Sequence, residues 1–392
     1  MNSRTTILLC ILVILSVLLI FGSKLNSVFF DRKLKLAPKI IVKTTNQARF
    51  DNYYMKNEYT CGSDKWAANY AIQHRSSLTD AKNSKFLIYS CRKDCGGLAE
   101  RMLGIVSTFY VALLTNRIFL IDSTVPVELD TVLEPNRIDW RFKNYENHIR
   151  LMDYSQEDMR NLNEEKQSTL LESDFSLKFT SQVQYLKMNQ RLFTLMHQNH
   201  HFSKRREELG LERMSTFHIF GCLYQYLFKP SPKVDTFIRD FYNFAFLNSI
   251  DQRIPVIGLY IDPETVETSQ ELDKFWNCAE RLLNKYPQSR LLLVGDNTSL
   301  KESVEKKFNR RAMIFDIPID NIDKVTSGNS DSFRNAVSEL ILLSLCDHFI
   351  ISKSNMGEIA TMINFKPRYK IPNDKCDSNL PEKYEYDTYN QV

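Results

Sequence analysis

Several stretches end an apolar run in polar, charged or glycine residues and then begin a helical pattern. In alternating strand–helix proteins these are the places where ligands are held. "HFIISKSNMGEIA" sets Ser352, Lys353, Ser354, Asn355, Met356 and Gly357 in such a position. Hydroxyls beside the unpaired N–H groups of a helix start can bind a phosphate, and the same Ser354 or Asn355 can equally be a plain helix cap. "IPVIGLYIDPET" brings Tyr260, Asp262 and Glu264 to the end of another run. Carboxylates there have the chemistry of a general base but repel a diphosphate. "RLLLVGDNTS" ends in Asp296, an acid that faces a cleft or caps the next helix. Asp262, Glu264 and Asp323 are the acids to consider as a base.

"YSCRKDCGGLAERMLG" places Gly96 and Gly97 before a helix, with Arg101 in its first turns. No Gly-Lys-Ser/Thr follows and the pattern is not Gly-x-Gly-x-x-Gly, so neither nucleotide fingerprint applies. Two readings stay open, a close backbone approach to a ligand or a tight connection. Cys91 and Cys95 stand four apart, a spacing that a local disulfide can close. Cys278 and Cys346 lie on two helices of the second half, either paired or both plain core thiols. His197, His200 and His201 have no carboxylate or cysteine arranged beside them, so "HQNHHF" reads as a solvated helix end and no metal is expected.

The elements that would position these residues alternate along the chain. "KFLIYS" and "RIFLID" are short apolar runs suited to buried parallel strands, joined by a helix over Leu98–Leu114. Residues 128–213 are charged and irregular, and helices are expected over Met214–Phe228 and Val234–Phe246. From Ile254 four apolar runs alternate with helical patterns, which predicts a parallel doubly wound sheet. The division is a tail and anchor at 1–23, a stem at 24–83, a first Rossmann-like domain at 84–250, a second at 251–372 and a loose tail at 373–392. Facing each other, two such domains enclose a cleft at the carboxyl ends of their strands.

The 392 residues carry 51 basic and 47 acidic side chains, a balance that gives no argument for nucleic-acid binding. "TTILLCILVILSVLLIF", from Thr5 to Phe21, is uncharged. At about 1.5 Å per residue it nearly spans a bilayer core of roughly 30 Å. It is read as an uncleaved signal anchor, the alternative being a cleaved signal peptide. Flanking lysines and arginines favour the opposite orientation, but an odd set of cysteines beyond the run and the sequon at Asn297 favour a lumenal body.

Taken together, these stretches resemble the GT-B fucosyltransferase superfamily, which includes the plant xyloglucan, rhizobial Nod-factor and core α-1,6 enzymes. "CGGLAERMLGIVSTFYVALLTNRIFLID" is similar to that group's first-domain helix start. "FGCLYQYLFKPSPKV", "FWNCAERLL", "LLLVGD" and "SELILLSLCDHFIISKSNMGEIA" follow in the family's order. The resemblance implies an α/β GT-B-like fold after a transmembrane anchor. It also implies inverting, metal-independent transfer from GDP-fucose to a glycan by a single-pass type II protein of the Golgi membrane. Ser352, Ser354, Asn355, Met356 and Gly357 match the family's diphosphate turn, and Asp296 its acid near the nucleotide. Gly96, Gly97 and Arg101 match the first-domain motif on the acceptor side. The chain departs from the family at the arginine that pairs with the donor's β-phosphate. Tyr260 and Asp262 stand in its His/Gln-x-Arg pattern. The resemblance therefore implies either that another cation, such as Lys353, Lys324 or Arg101, serves the diphosphate, or that the protein is an inactive, glycan-binding or regulatory descendant.

Overall fold

The computed structural model describes residues 64–365, except 93, 161, 247–253, 267, 296 and 316–329, together with 368–370 and 376. The run at 5–21, Asp296, Asp323, Lys324 and the final tail lie outside these residues. Among the described residues no helix is long and apolar enough to cross a membrane.

Two parallel sheets make up the body. The first has β1 (Phe86–Ser90), β2 (Ile118–Asp122), β4 (Tyr154–Asp158) and β5 (Val183–Lys187), in the order β2-β1-β5-β4. The second has β7 (Val256–Tyr260), β8 (Arg290–Val294), β9 (Ala312–Ile314), β10 (His348–Ile351) and β11 (Arg368–Lys370), in the order β11-β10-β7-β8-β9. A short antiparallel pair, β3 (Leu133–Pro135) and β6 (Phe228–Pro230), stands apart. The central strands β1 and β7 are buried almost end to end. Sequence runs without polar alternation need both faces covered, and helices cover them here.

Helix α2 (Leu98–Leu114) joins β1 to β2, with every residue but Glu100 buried. It packs against α3 (Leu192–Gln198), α4 (Thr216–Leu227) and a helix of the second sheet, α9 (Asn355–Ile363); α5 (Pro232–Phe246) follows α4 in the chain. In the second sheet α6 (Ser269–Lys285), α7 (Thr298–Phe308) and α8 (Ser330–Ser344) provide the remaining crossovers. A capping box of Thr268 and Glu271 starts α6, and its Phe275, Trp276, Ala279, Leu282 and Leu283 bury one stripe.

Two expectations are corrected. The stretch to residue 83 is not all stem. Helix α1 (Asp64–Thr79) buries Trp66, Tyr70 and His74 against the first sheet, so the body begins by Asp64. The Tyr70 hydroxyl donates to the Arg117 carbonyl and accepts the Phe119 N–H, each at 3.0 Å. The second correction concerns Cys278, which is bonded to Cys376 and not to Cys346. Cys346 is a buried thiol, 3.7 Å from the Leu342 carbonyl. Cys91 and Cys95 do form the local disulfide, and Cys222 is disulfide-bonded as well.

Burial holds the imidazoles of His74, His197 and His218 below their ordinary pKa, so the folded body keeps them neutral. The unfolded chain takes up those protons near pH 6.5. Stability is therefore complete above that value and falls as pH drops below it. The urea midpoint is expected to be lower at about pH 5.5 than at about pH 7.5, and equal midpoints would refute this.

Candidate functional site

In the second sheet β7 is central. The chain passes outward through β8 and β9, then returns to the other side as β10 and β11. The reversal lies between β7 and β10, and open α/β sheets bind ligands in the crevice beyond such carboxyl ends. Of the residues picked out by sequence, Tyr260, Asp262, Ser352, Ser354, Met356 and Gly357 stand there. Ser352 follows β10 and is 1% exposed. Its hydroxyl accepts the Asp262 N–H at 2.9 Å, and its own N–H donates to the Tyr260 carbonyl at 3.0 Å. Ser354 caps α9 by accepting the Met356 N–H at 3.3 Å. Gly357 lets the helix close on the sheet, because a β-carbon there would stand 3.0 Å from Ile351 and 3.5 Å from the Tyr260 ring. Lys353 is exposed beside the turn.

Asp262 does not reach across the crevice. Its Oδ1 accepts the Glu264 N–H at 3.0 Å and caps the short turn Pro263–Thr265. Glu264 is exposed. Asn297 caps α7, accepting the Leu300 N–H at 3.0 Å. Asp296 and Asp323 lie outside the described residues. Among the described residues no group of three His, Cys, Asp or Glu side chains is arranged to hold a metal ion. His201 turns to the Glu172 carbonyl and His197 to the Tyr110 hydroxyl.

In the first sheet the strand order reverses between β1 and β5. The Cys91–Gly97 turn leaves β1 there, and Arg191 stands beyond β5. Gly96 has φ +77°, and a β-carbon on it would meet the Glu100 Cβ at 2.6 Å. The glycines thus let Glu100 fold back over the turn. Its Oε1 accepts the Asn355 Nδ2–H at 2.8 Å. Arg191 Nη2 donates to Asn355 Oδ1 at 3.2 Å and forms an ion pair with Glu358, which is buried. One side chain at the start of α9 is therefore held on both sides by the first sheet. Arg101 is 4% exposed and donates to the Gly96 and Val125 carbonyls at 2.9 and 2.6 Å, fixing the shape of the turn.

A hollow of about 140 Å³, with charged side chains and an apolar floor of Ile121, Leu129, Trp140 and Phe142, opens beside this turn at the end of β2. Asp122, Arg92, Glu128, Lys143, Arg141 and Glu146 line much of it. Asp122 is 5% exposed and accepts Arg92 Nη2–H at 2.8 Å. Lys143 pairs with Glu128 and Asp130. Sequence reasoning did not single out this group. Its one signal was the acid that closes "RIFLID".

A sequence model of the xyloglucan fucosyltransferase family matches residues 48–143. No curated protein sequence matches the chain. Among solved structures it is similar to Arabidopsis thaliana FUT1, an arginine-to-lysine variant in complex with GDP. The two are 15% identical with a TM-score of 0.53, over 83% of this chain and 77% of that one. It is also similar to the Bradyrhizobium fucosyltransferase NodZ, at 13% identity and TM-score 0.46, over 74% of this chain and 97% of that one. At 15% identity the likeness to FUT1 speaks for the fold alone. The segment matched by the family model spans β1, the double-glycine turn, α2 and β2, and the chain as a whole has an α/β fold of parallel sheets similar to that of a GT-B fucosyltransferase.

Proposed function

We propose that this chain is an inverting, metal-independent glycosyltransferase that moves fucose from GDP-fucose to a glycan hydroxyl. In this reading residues 5–21 anchor it in the Golgi membrane as a type II protein, with the body in the lumen and Asn297 available for glycosylation. The observation that carries the reading is the contact between the turns at the carboxyl ends of the two sheets. The start of α9 faces the double-glycine turn and Arg191, joined through Asn355. The donor diphosphate takes free N–H groups at the start of α9, beside Tyr260, with Asp296 as the acid assigned to the nucleotide. The acceptor takes the first-sheet side, where Gly96, Gly97 and the charged hollow offer donors and acceptors to sugar hydroxyls. Asp262, Glu264 and Asp323 are the acids proposed to receive the acceptor's proton. Disulfides support an oxidising compartment.

Thermal unfolding of the full-length protein with GDP, GDP-fucose or UDP tests this. Guanine nucleotides are expected to stabilise it by about 2.7 kcal/mol at a hundredfold excess over Kd, and UDP is not. No shift with millimolar GDP or GDP-fucose sinks the donor reading. One observation favours a second reading, a glycan-binding or regulatory protein without transfer. Where the family's phosphate arginine stands, Asp262 is an anion bound to its own turn. Stabilisation by an oligosaccharide without any nucleotide effect would select that reading.

A further inference from the structure

The second sheet has no cation at the end of its central strand, where Tyr260, Ile261, Asp262, Pro263 and Glu264 follow one another. A cation nevertheless reaches the start of α9, from the opposite side of the crevice. Arg191 stands just before α3 and directs Nη2 to Asn355 Oδ1 at 3.2 Å and to the Glu358 carboxylate. Its side chain is 25% exposed, whereas that of Glu358 is 5% exposed. The Arg191 side chain is thus partly exposed to solvent and that of its carboxylate partner is not. Arg101 donates to the carbonyls of Gly96 in its own turn and of Val125 beyond β2. Glu358 lies in the first turn of α9, so its carboxylate and a bound phosphate draw on the same helix end and the same guanidinium.

We propose that Arg191 is the donor-binding cation of this protein, carried by the first sheet in place of the missing arginine of the second. Without donor it is held by Glu358 and Asn355. With donor it exchanges part of that contact for the diphosphate. Nucleotide binding then draws on both halves of the crevice at once, and Glu358 is a built-in competitor whose strength sets donor affinity. This inference rests on the GDP-dependent reading above.

Calorimetric titration of the full-length protein with GDP, and with guanosine as the phosphate-free probe, tests it. Arg191→Met is expected to weaken GDP binding by about tenfold to a hundredfold and to leave guanosine unchanged. Glu358→Gln is expected to tighten GDP binding by a few-fold, about the loss of one competing charge. Arg191→Met alone leaves a buried carboxylate unpaired. The double variant Arg191→Met/Glu358→Gln removes both charges, and it should keep the wild-type unfolding temperature while binding GDP as weakly as Arg191→Met. GDP bound equally by wild type and by the double variant overturns the inference and leaves the donor reading standing. A parallel loss of GDP and guanosine also overturns it, because that marks a structural effect. No GDP binding by the wild type removes the donor reading and this inference together.

Discussion

Replacing Cys278 and Cys376 with serine is expected to lower the unfolding free energy by about 4–5 kcal/mol. The two sulfurs close a loop with a sequence separation of 98, which holds β8, β9, β10 and β11 with their helices. In the chain-entropy account a cross-link limits the unfolded ensemble, and the effect grows with loop length. The native contact adds to it. Cys278 is 1% exposed within the α6 core stripe, and Arg281 Nη1 donates to the Cys376 carbonyl at 2.9 Å. The Cys91–Cys95 bridge encloses a separation of only 4, and its removal should cost about 2 kcal/mol by the same relation. Urea unfolding of wild type and both serine variants checks the order. Equal midpoints for wild type and Cys278→Ser/Cys376→Ser would falsify the argument.

On the proposed donor reading, Asp262→Arg is expected to tighten GDP binding by about a hundredfold, or about 2.7 kcal/mol, because it exchanges an anion for a cation beside the start of α9. Position 262 is bound to the phosphate turn, through its N–H on the Ser352 hydroxyl. Its carboxylate serves the Glu264 N–H, and loss of that cap costs about 1 kcal/mol of local stability. The variant should therefore unfold slightly earlier without nucleotide and later with GDP. It should also restore GDP binding to Arg191→Met, since one cation stands in for the other. Titration calorimetry of the single and paired variants measures this. Unchanged GDP affinity in Asp262→Arg removes the alignment of Tyr260–Asp262 with the family's arginine pattern.

Much of the fold could be read from apolar spacing. The helix over Leu98–Leu114 has the bounds expected, because most of its residues are apolar and a glycine pair marks its start. The strands in "KFLIYS", "RIFLID", "IPVIGLYI" and "RLLLVGD" are buried runs without alternation. Where the pattern was weak, the reading failed for a physical reason. β4 is "YSQED", a half-solvated edge strand with no apolar residue but its tyrosine. β11 has three residues, two of them charged. In α1 the buried Trp66, Tyr70 and His74 recur every four residues, yet tyrosine and histidine do not read as a core stripe.

The site divides in the same way. The turn at Ser352–Gly357 follows from a strand end meeting a helix start, and both are local features. Arg191 and Glu100 join Asn355 across sequence separations of 164 and 255, which no local pattern reports. Arg101, expected at the cleft, donates instead to the Gly96 carbonyl of its own turn and to the Val125 carbonyl beyond β2, a contact across 24 residues.

Helix α1 has a consequence for any shortened form of the protein. β2 is the outer strand of its sheet, with backbone groups that no neighbouring strand pairs. Tyr70 takes up the Arg117 carbonyl and the Phe119 N–H, and the His74 ring meets the Phe119 carbonyl at 2.9 Å. These two side chains cover the start of the edge, while the Trp140 carbonyl takes the Ile121 N–H at 2.7 Å farther along. A chain begun at residue 84 would bare a hydrophobic border, "RIFLID", ready to zip onto its copy in another molecule. Self-association in such a fragment would report the loss of this cover and say nothing about the crevice.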